Sequence, residues 1–317
     1  MMDAILAGTL LASTLRVATP LILCALAGVL AERSGVIDLG LEGKMLFAAF
    51  AAAAVGTVTG STFVAMLAAC GIAVLMSWLH GFATVTHRGD QVVSGMALNI
   101  ITYGLTAVLA IAWFQQGGQT PPLGEDVRLR PLWPGAGETF GVIVGEGLLG
   151  HDGLVYTALA LVGVVWFLLY RTRLGLRLRA VGENPNMVDA AGLSVRRLRY
   201  LALSMNGVLC GLAGAYLVLA QSAAFAPNMT AGRGYMALAA MIFGRWRPVP
   251  ALAACLLFGF LDTIAVRLQG VKLPHIGEVP VQAIQALPYL FTVVLLAAFI
   301  GRNVAPQALG RPYVKEH

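Results

Sequence analysis

Eight polar side chains stand inside or beside long apolar stretches: Asp38, Glu42, Gln91, Ser94, Asn99, Tyr103, Asn206 and Gln221. Their amides, hydroxyls and carboxylates can donate and accept hydrogen bonds toward a ligand. Asn99 and Tyr103 are four residues apart, so on a helix they share one face. In apolar surroundings such groups also bond one helix to the next, and for any one of them that use competes with ligand binding. Catalytic chemistry has less to work with. His80, His87, His151 and His275 show no metal-ligand spacing, and neither HExxH nor GxSxG occurs. His80 and His87, seven apart on one helix face, read as a structural pair. Cys24, Cys70, Cys210 and Cys255 lie within apolar runs without a CxxC pair, as small buried hydrophobes rather than disulfides or a zinc site. Asp262 and Arg267, near the end of one run, read as a structural or interfacial pair.

The elements that must position these groups are set by composition. Of 317 residues 58% are hydrophobic and 11% charged, with a mean hydropathy of +0.80. Soluble domains carry about 25% charged residues, so a soluble chain this poor in charge could not cover its surface. Disorder is excluded by the hydrophobicity, and a β-barrel by the long apolar runs. The expected fold is all-α: one polytopic transmembrane domain over 1–317, a helical bundle of about 8–10 spans with broken or re-entrant segments. The runs are 4–30, 42–60, 62–86, 93–114, 153–170, 200–220, 234–243, 250–269 and 284–300. The run 234–243 is too short to span and reads as a half-helix or re-entrant segment. No basic region opens the chain, so no cleavable signal peptide is expected.

The net charge of +6 is a topology signal, not a nucleic-acid one. Residues 171–199 hold seven Arg against Glu183 and Asp189, whereas 115–152 hold Arg128 and Arg130 against five acids. Placing 171–199 in the cytoplasm makes 115–152 an external loop, puts the N-terminus outside, and puts Arg245, Arg247 and the C-terminal tail inside. Arg16, inside the first run, either snorkels or faces protein, or residues 4–13 form a separate short helix.

Two glycine-rich polar stretches, 32–44 and 88–99, lead into spans. Each is either backbone broken at membrane depth, where transporters hold solutes, or a plain cytoplasmic turn. Gly43-Lys44-Met45-Leu46-Phe47-Ala48-Ala49-Phe50 resembles Gly234-Tyr235-Met236-Ala237-Leu238-Ala239-Ala240-Met241, in segments expected to run in opposite directions, as an inverted repeat would give. Within 171–199, Asn184 before Pro185 starts a helix and Gly192 stops one, so a short capped helix is expected near 185–191. So short a helix needs a partner surface: either a cytoplasmic protein or anionic lipid headgroups.

Here the sequence takes on a family likeness. Val181-Gly182-Glu183-Asn184-Pro185, followed by Ala190-Ala191-Gly192-Leu193-Ser194-Val195, resembles the coupling-helix segment of ABC importer permeases of the ribose and branched-chain amino acid class. Residues Glu32 to Met45, Ser94-Gly95-Met96-Ala97-Leu98-Asn99, and Gly232 to Pro248 are similar to signatures of that class's nucleoside-type subfamily. The resemblance covers about residues 5–300. Asp38 departs from the expected Asn, and Lys44 from an apolar residue.

The resemblance implies a non-catalytic permease subunit in a bacterial inner membrane. It implies a second homologous permease, a cytoplasmic ABC ATPase with two fused domains, and a periplasmic or lipid-anchored substrate-binding protein. ATP and magnesium would belong to the ATPase, and this chain, which lacks a phosphate loop, would carry no cofactor. Gly182, Glu183, Asn184, Pro185, Ala190, Ala191 and Gly192 would couple it to the ATPase. Nucleosides are the expected substrates, and Asn99 with Tyr103 suits one. A ribose-like sugar permease and, from another class, an ion-coupled transporter are the alternatives.

Overall fold

The computed structural model describes residues 2–269 and 305–315, with isolated residues between these segments. The expected span 284–300 and most of the loop 270–283, His275 included, lie outside the described residues. Eleven α-helices are described: α1 (Met2–Arg33), α2 (Leu41–Thr59), α3 (Thr62–Gly81), α4 (Gln91–Phe114), α5 (Ala136–Gly141), α6 (Gly153–Arg171), α7 (Arg173–Glu183), α8 (Pro185–Ala190), α9 (Val195–Tyr216), α10 (Arg233–Phe243) and α11 (Pro248–Leu268). Short π-helical segments extend α3 to Thr86 and α9 to Ser222, and another covers Val142–Leu149. Seven of these helices are long and apolar enough to cross a membrane.

The helix starts follow the side chains that can satisfy free N–H groups. Asp90 Oδ1 accepts from Val92 and Val93 at the start of α4, at 2.8 and 2.9 Å. Asp152 does the same for Leu154 and Val155 of α6, and Ser194 for Arg197 of α9. Residues 88–90 are thus a turn before a capped helix, and 91–99 are already helical.

α1 is one continuous helix, and no separate helix forms over 4–13. Its 32 residues make about 48 Å at about 1.5 Å per residue, well beyond a hydrocarbon core of about 30 Å. Arg33 lies at the end bearing the basic segment, because Gly182 of α7 packs against its carbonyl. Arg16 then falls about 25 Å further along, near the opposite membrane boundary. Helix length explains an arginine that the apolar pattern alone placed in mid-span.

α1, α2 and α9 are the centre of the bundle: 89, 78 and 72% of their spanning windows are buried, against about a third or less for α3, α4, α6 and α11. α9 packs closely on α3. A Cβ at Gly207 would lie 2.6 Å from Val74 Cα, and one at Gly211 2.4 Å from Cys70 Cα. Small residues four apart let helix backbones approach where lipid supplies no hydrophobic drive.

The basic segment is more ordered than expected. Beside α8 it forms α7, capped by Thr172, whose hydroxyl accepts from Gly175 at 3.1 Å. Leu178 and Val181 of α7 are buried while Arg173 and Arg177 are exposed, which gives the amphipathic face of a surface helix. α8 begins as expected, with Asn184 Oδ1 accepting from Met187 at 3.2 Å and Pro185 in the first turn. It ends at Ala190, and Gly192 takes the left-handed conformation, φ +78°.

Replacing Gly207 or Gly211 by Leu should separate α3 from α9. The expected outcome is loss of monodisperse protein in detergent size-exclusion chromatography, with Gly→Ala milder than Gly→Leu at either position.

Candidate functional site

The backbone between α1 and α2, residues 34–40, is irregular yet mostly buried in protein, the condition for broken backbone near a membrane. It returns the chain toward the bundle centre, where α2 starts. α10, the half-helix, starts after a second irregular stretch at 223–232. Its C-terminal end lies beside Arg33, which donates to the carbonyls of Trp246 and Arg245 at 2.9 and 3.4 Å. Eleven residues of helix put its N-terminus about 15 Å further in, near mid-membrane. From there α10 runs to the basic end. α2 runs to the other, where Gly56 meets Leu123 and Val127 of the loop 115–152.

The two helix starts meet at Glu42. Its Oε1 accepts from Gly232 N at 2.8 Å and its Oε2 from Gly234 N at 2.5 Å. A fully buried carboxylate is thereby held by the free N–H groups and positive dipole end of α10. Gly234 is required by the approach: a Cβ there would lie 2.6 Å from Glu42 Cα. Tyr103 of α4 donates to Glu42 Oε1 at 3.4 Å. Asn99, one turn before it, accepts from Gly43 N at 2.8 Å and donates to Leu39 O at 2.9 Å and to Tyr235 Oη at 2.8 Å. Glu42 and Asn99 are buried, whereas Tyr103 is half-buried and Tyr235 is 36% exposed. Two aromatic rings therefore reach the open face, aligned from behind by a carboxylate and an amide.

The remaining candidates fall into other groups. Asp38 forms an ion pair with Lys44, Oδ2 to Nζ 2.6 Å, both fully buried. Lys44 also donates to Asn206 Oδ1 at 3.0 Å; Ser77 bonds the same oxygen, and Asn206 Nδ2 donates to Ala27 O. The Lys44 ammonium and the Gly40 N–H, which donates to Asp38 Oδ1 at 3.1 Å, offset the cost of burying the Asp38 carboxylate. Gln91 accepts from Ile37 N at 2.6 Å, and Ser94 meets His80 Nδ1 at 3.1 Å while His80 Nε2 donates to Ile37 O. These two sets fix the broken segment from both sides. Gln221 stands apart, donating to Arg16 O at 2.9 Å and accepting from Arg233 at 3.3 Å. It lines a cavity of about 470 Å³ at the end of the bundle away from the basic segment, with Arg16, Arg128, His151, Asp152 and Tyr216. Burial there pushes the Asp152 carboxyl up, against the N–H groups of Val155 and Leu154.

At the basic end Asn184, Asn186, Met187, Ala190, Ala191 and Gly192 are exposed, Met187 by 70%, while Val188 anchors α8 from below. Gly182 is buried against α1 and Glu183 is exposed. Tyr235, Lys44 and Met187 were missing from the sequence-derived site. Tyr235 had a signal, since it is the second residue of the second copy of the octapeptide, after Gly234.

Backbone breaks that meet at mid-membrane around a carboxylate, beneath an open aromatic face, suit passing a solute rather than transforming one, and the class is a membrane permease. The chain belongs to the family described as the branched-chain amino acid transport system permease component, which matches residues 10–301. It is similar to the nucleoside ABC transporter permease protein NupC of Lactococcus lactis, 38% identical over 96% of each chain. It is also similar to the guanosine ABC transporter permease protein NupQ of Bacillus subtilis, 36% identical over 96% of this chain and 95% of the relative. The putative glucose ABC transporter permease protein TsgC13 of Haloferax volcanii is 35% identical over 98% of each. This chain is therefore the multi-pass permease component of an ABC importer, a non-catalytic subunit without a cofactor that works with an ATPase and a substrate-binding protein.

Removing one member of the buried ion pair, as in Lys44→Met or Asp38→Asn, should cost about 3–5 kcal/mol, because it strands a charge or its partner in a dry site. The double variant should recover much of that loss. Thermal unfolding of the purified permease in detergent, analysed as a double-mutant cycle, measures it.

Proposed function

We propose that this chain, as one domain over 1–317 in a bacterial inner membrane, forms a path for neutral nucleosides together with a second permease of the same family. Tyr103 and Tyr235 are the observation that carries the reading. Two half-open rings at mid-membrane offer the flat apolar contact a base needs, and their hydroxyls can bond ribose. Glu42 and Asn99 act behind them as positioning groups. The relatives named for nucleosides and guanosine support this substrate class.

The open faces of α4 and α10 suit cover by the second permease. Exposed Ile100 and Met96 continue the apolar surface around the rings. The exposed row on α8, from Asn184 to Gly192, supports its reading as the helix that meets the ATPase, which in this proposal carries two fused ATP-binding domains. A periplasmic or lipid-anchored protein delivers substrate to the outer face. Asp38 and Asn206 serve the frame of the path rather than its lining, as do Gln91 and Ser94, and Gln221 joins α10 to α1.

A sugar substrate is the second reading, favoured by the likeness to the relative named for glucose. Competition for uptake by the assembled transporter separates the two. Inosine and guanosine should compete strongly, ribose and glucose at least tenfold less well, and nucleoside monophosphates not at all, since the Glu42 carboxylate behind the rings would repel a phosphate. Ribose competing as well as guanosine would replace the nucleoside reading by the sugar one.

A further inference from the structure

Residues 305–315 lie across the basic end of the bundle and touch three elements there. Ala308 N donates to Gly182 O at 2.9 Å, and Gln307 N to Glu183 Oε2 at 3.3 Å, at the junction of α7 and α8. Gly310 N donates to Gly35 O at 3.2 Å, in the broken segment between α1 and α2. Arg199 of α9, 1% exposed, directs both Nη1 and Nη2 at the Arg311 carbonyl, each at 3.4 Å. Tyr313 packs on the cluster of Val181, Val188 and Val195 that holds α8 from below. Between this segment and α8 lies a cleft of about 380 Å³, lined by Glu183, Asn184, Asn186, Gln307 and Arg311.

No salt bridge to Arg199 is present among the described residues, and its Nε has no partner there. A guanidinium so placed is costly to bury. Its two bonds to a main-chain carbonyl fix the segment on the bundle instead of neutralising a charge.

We propose that residues 305–315 are a coupling strap, with Arg199 as its positioning residue, that carries displacement of α8 to the turn at Gly35 and so to the Glu42 junction. The proposal rests on the reading of α8 as the ATPase-facing helix. The chain of contacts is continuous. α8 meets the strap through Val188 and Tyr313, and the strap meets the turn through Gly310 and Gly35. Three residues beyond Gly35, Asp38 is locked to Lys44, the second residue after Glu42. A parallel contact exists where Gly182 abuts the Arg33 carbonyl. A Cβ at Gly182 would also lie 3.3 Å from Gly35 N; the strap differs in holding the Gly35 carbonyl by a hydrogen bond.

The test uses the complete transporter, with ATPase, both permeases and binding protein, in liposomes, and reads tritiated guanosine moved per ATP hydrolysed. In R199M the ATPase should co-purify as in the parent and hydrolyse ATP within twofold, while guanosine moved per ATP falls at least fivefold. R199K, which still donates to the Arg311 carbonyl, should recover at least half of the loss. An unchanged ratio in R199M overturns the strap and leaves the Gly182–Arg33 contact as the connection. Where R199M does not assemble, Tyr313→Ala decides, because it loosens the strap from α8 without stranding a charge. A threefold fall in the ratio supports the strap, and an unchanged ratio overturns it. M187E combined with A190E reports on the underlying reading alone. Loss of the ATPase from that variant keeps α8 as the docking helix whatever Arg199 does, and retention of it removes the basis for both.

Discussion

Everything at the centre of this permease depends on one carboxylate. Glu42 stands at the start of α2 and receives the free N–H groups at the start of α10, so two helices that leave for opposite ends of the bundle are joined where both begin. Without that carboxylate the first turn of α10 would present unsatisfied donors near mid-membrane, where no water is at hand. Without α10 the carboxylate would be a bare charge at the same depth. Each solves the other's problem. The same bond sets the spacing between α4 and α10, because Tyr103 bonds the carboxylate and Asn99 holds both Gly43 and Tyr235.

Around this junction lies a frame that tolerates charge because it is closed. The Asp38–Lys44 pair with Asn206 and Ser77, and the His80 set with Ser94 and Gln91, anchor the irregular backbone before α2. Rigid framing on one side and an open aromatic face on the other is the arrangement expected of a subunit that shares its path with a neighbour.

The helices were legible in the sequence because span length and apolar content follow from the bilayer. The runs 42–60, 62–86, 93–114, 153–170 and 250–269 reappear within a few residues as α2, α3 with its extension, α4, α6 and α11. The start of α8 was legible too, because Asn184-Pro185 and Gly192 are local signals. α7 was not, since its apolar residues alternate with arginine and the segment read as a loop. The continuity of α1 was hidden because hydropathy does not reveal a helix rising beyond the membrane. The sequence brought out the polar residues near membrane depth but not how they divide among the frame, the junction and the open face. That division depends on which helix faces which, and no single sequence carries this information. Tyr235 was missed for the same reason: only the meeting of α4 and α10 sets it beside Tyr103.

The central claim is that solute is held at the Tyr103–Tyr235 face above Glu42. Photolabelling of the assembled transporter with an azido-purine nucleoside, followed by peptide mass spectrometry, tests it most directly. Label on α4 around Tyr103 and on α10 around Tyr235, displaced by excess guanosine, is the result this account predicts. Guanosine-protected label confined to the cavity around Arg16 and Gln221, with none on either tyrosine helix, would contradict it.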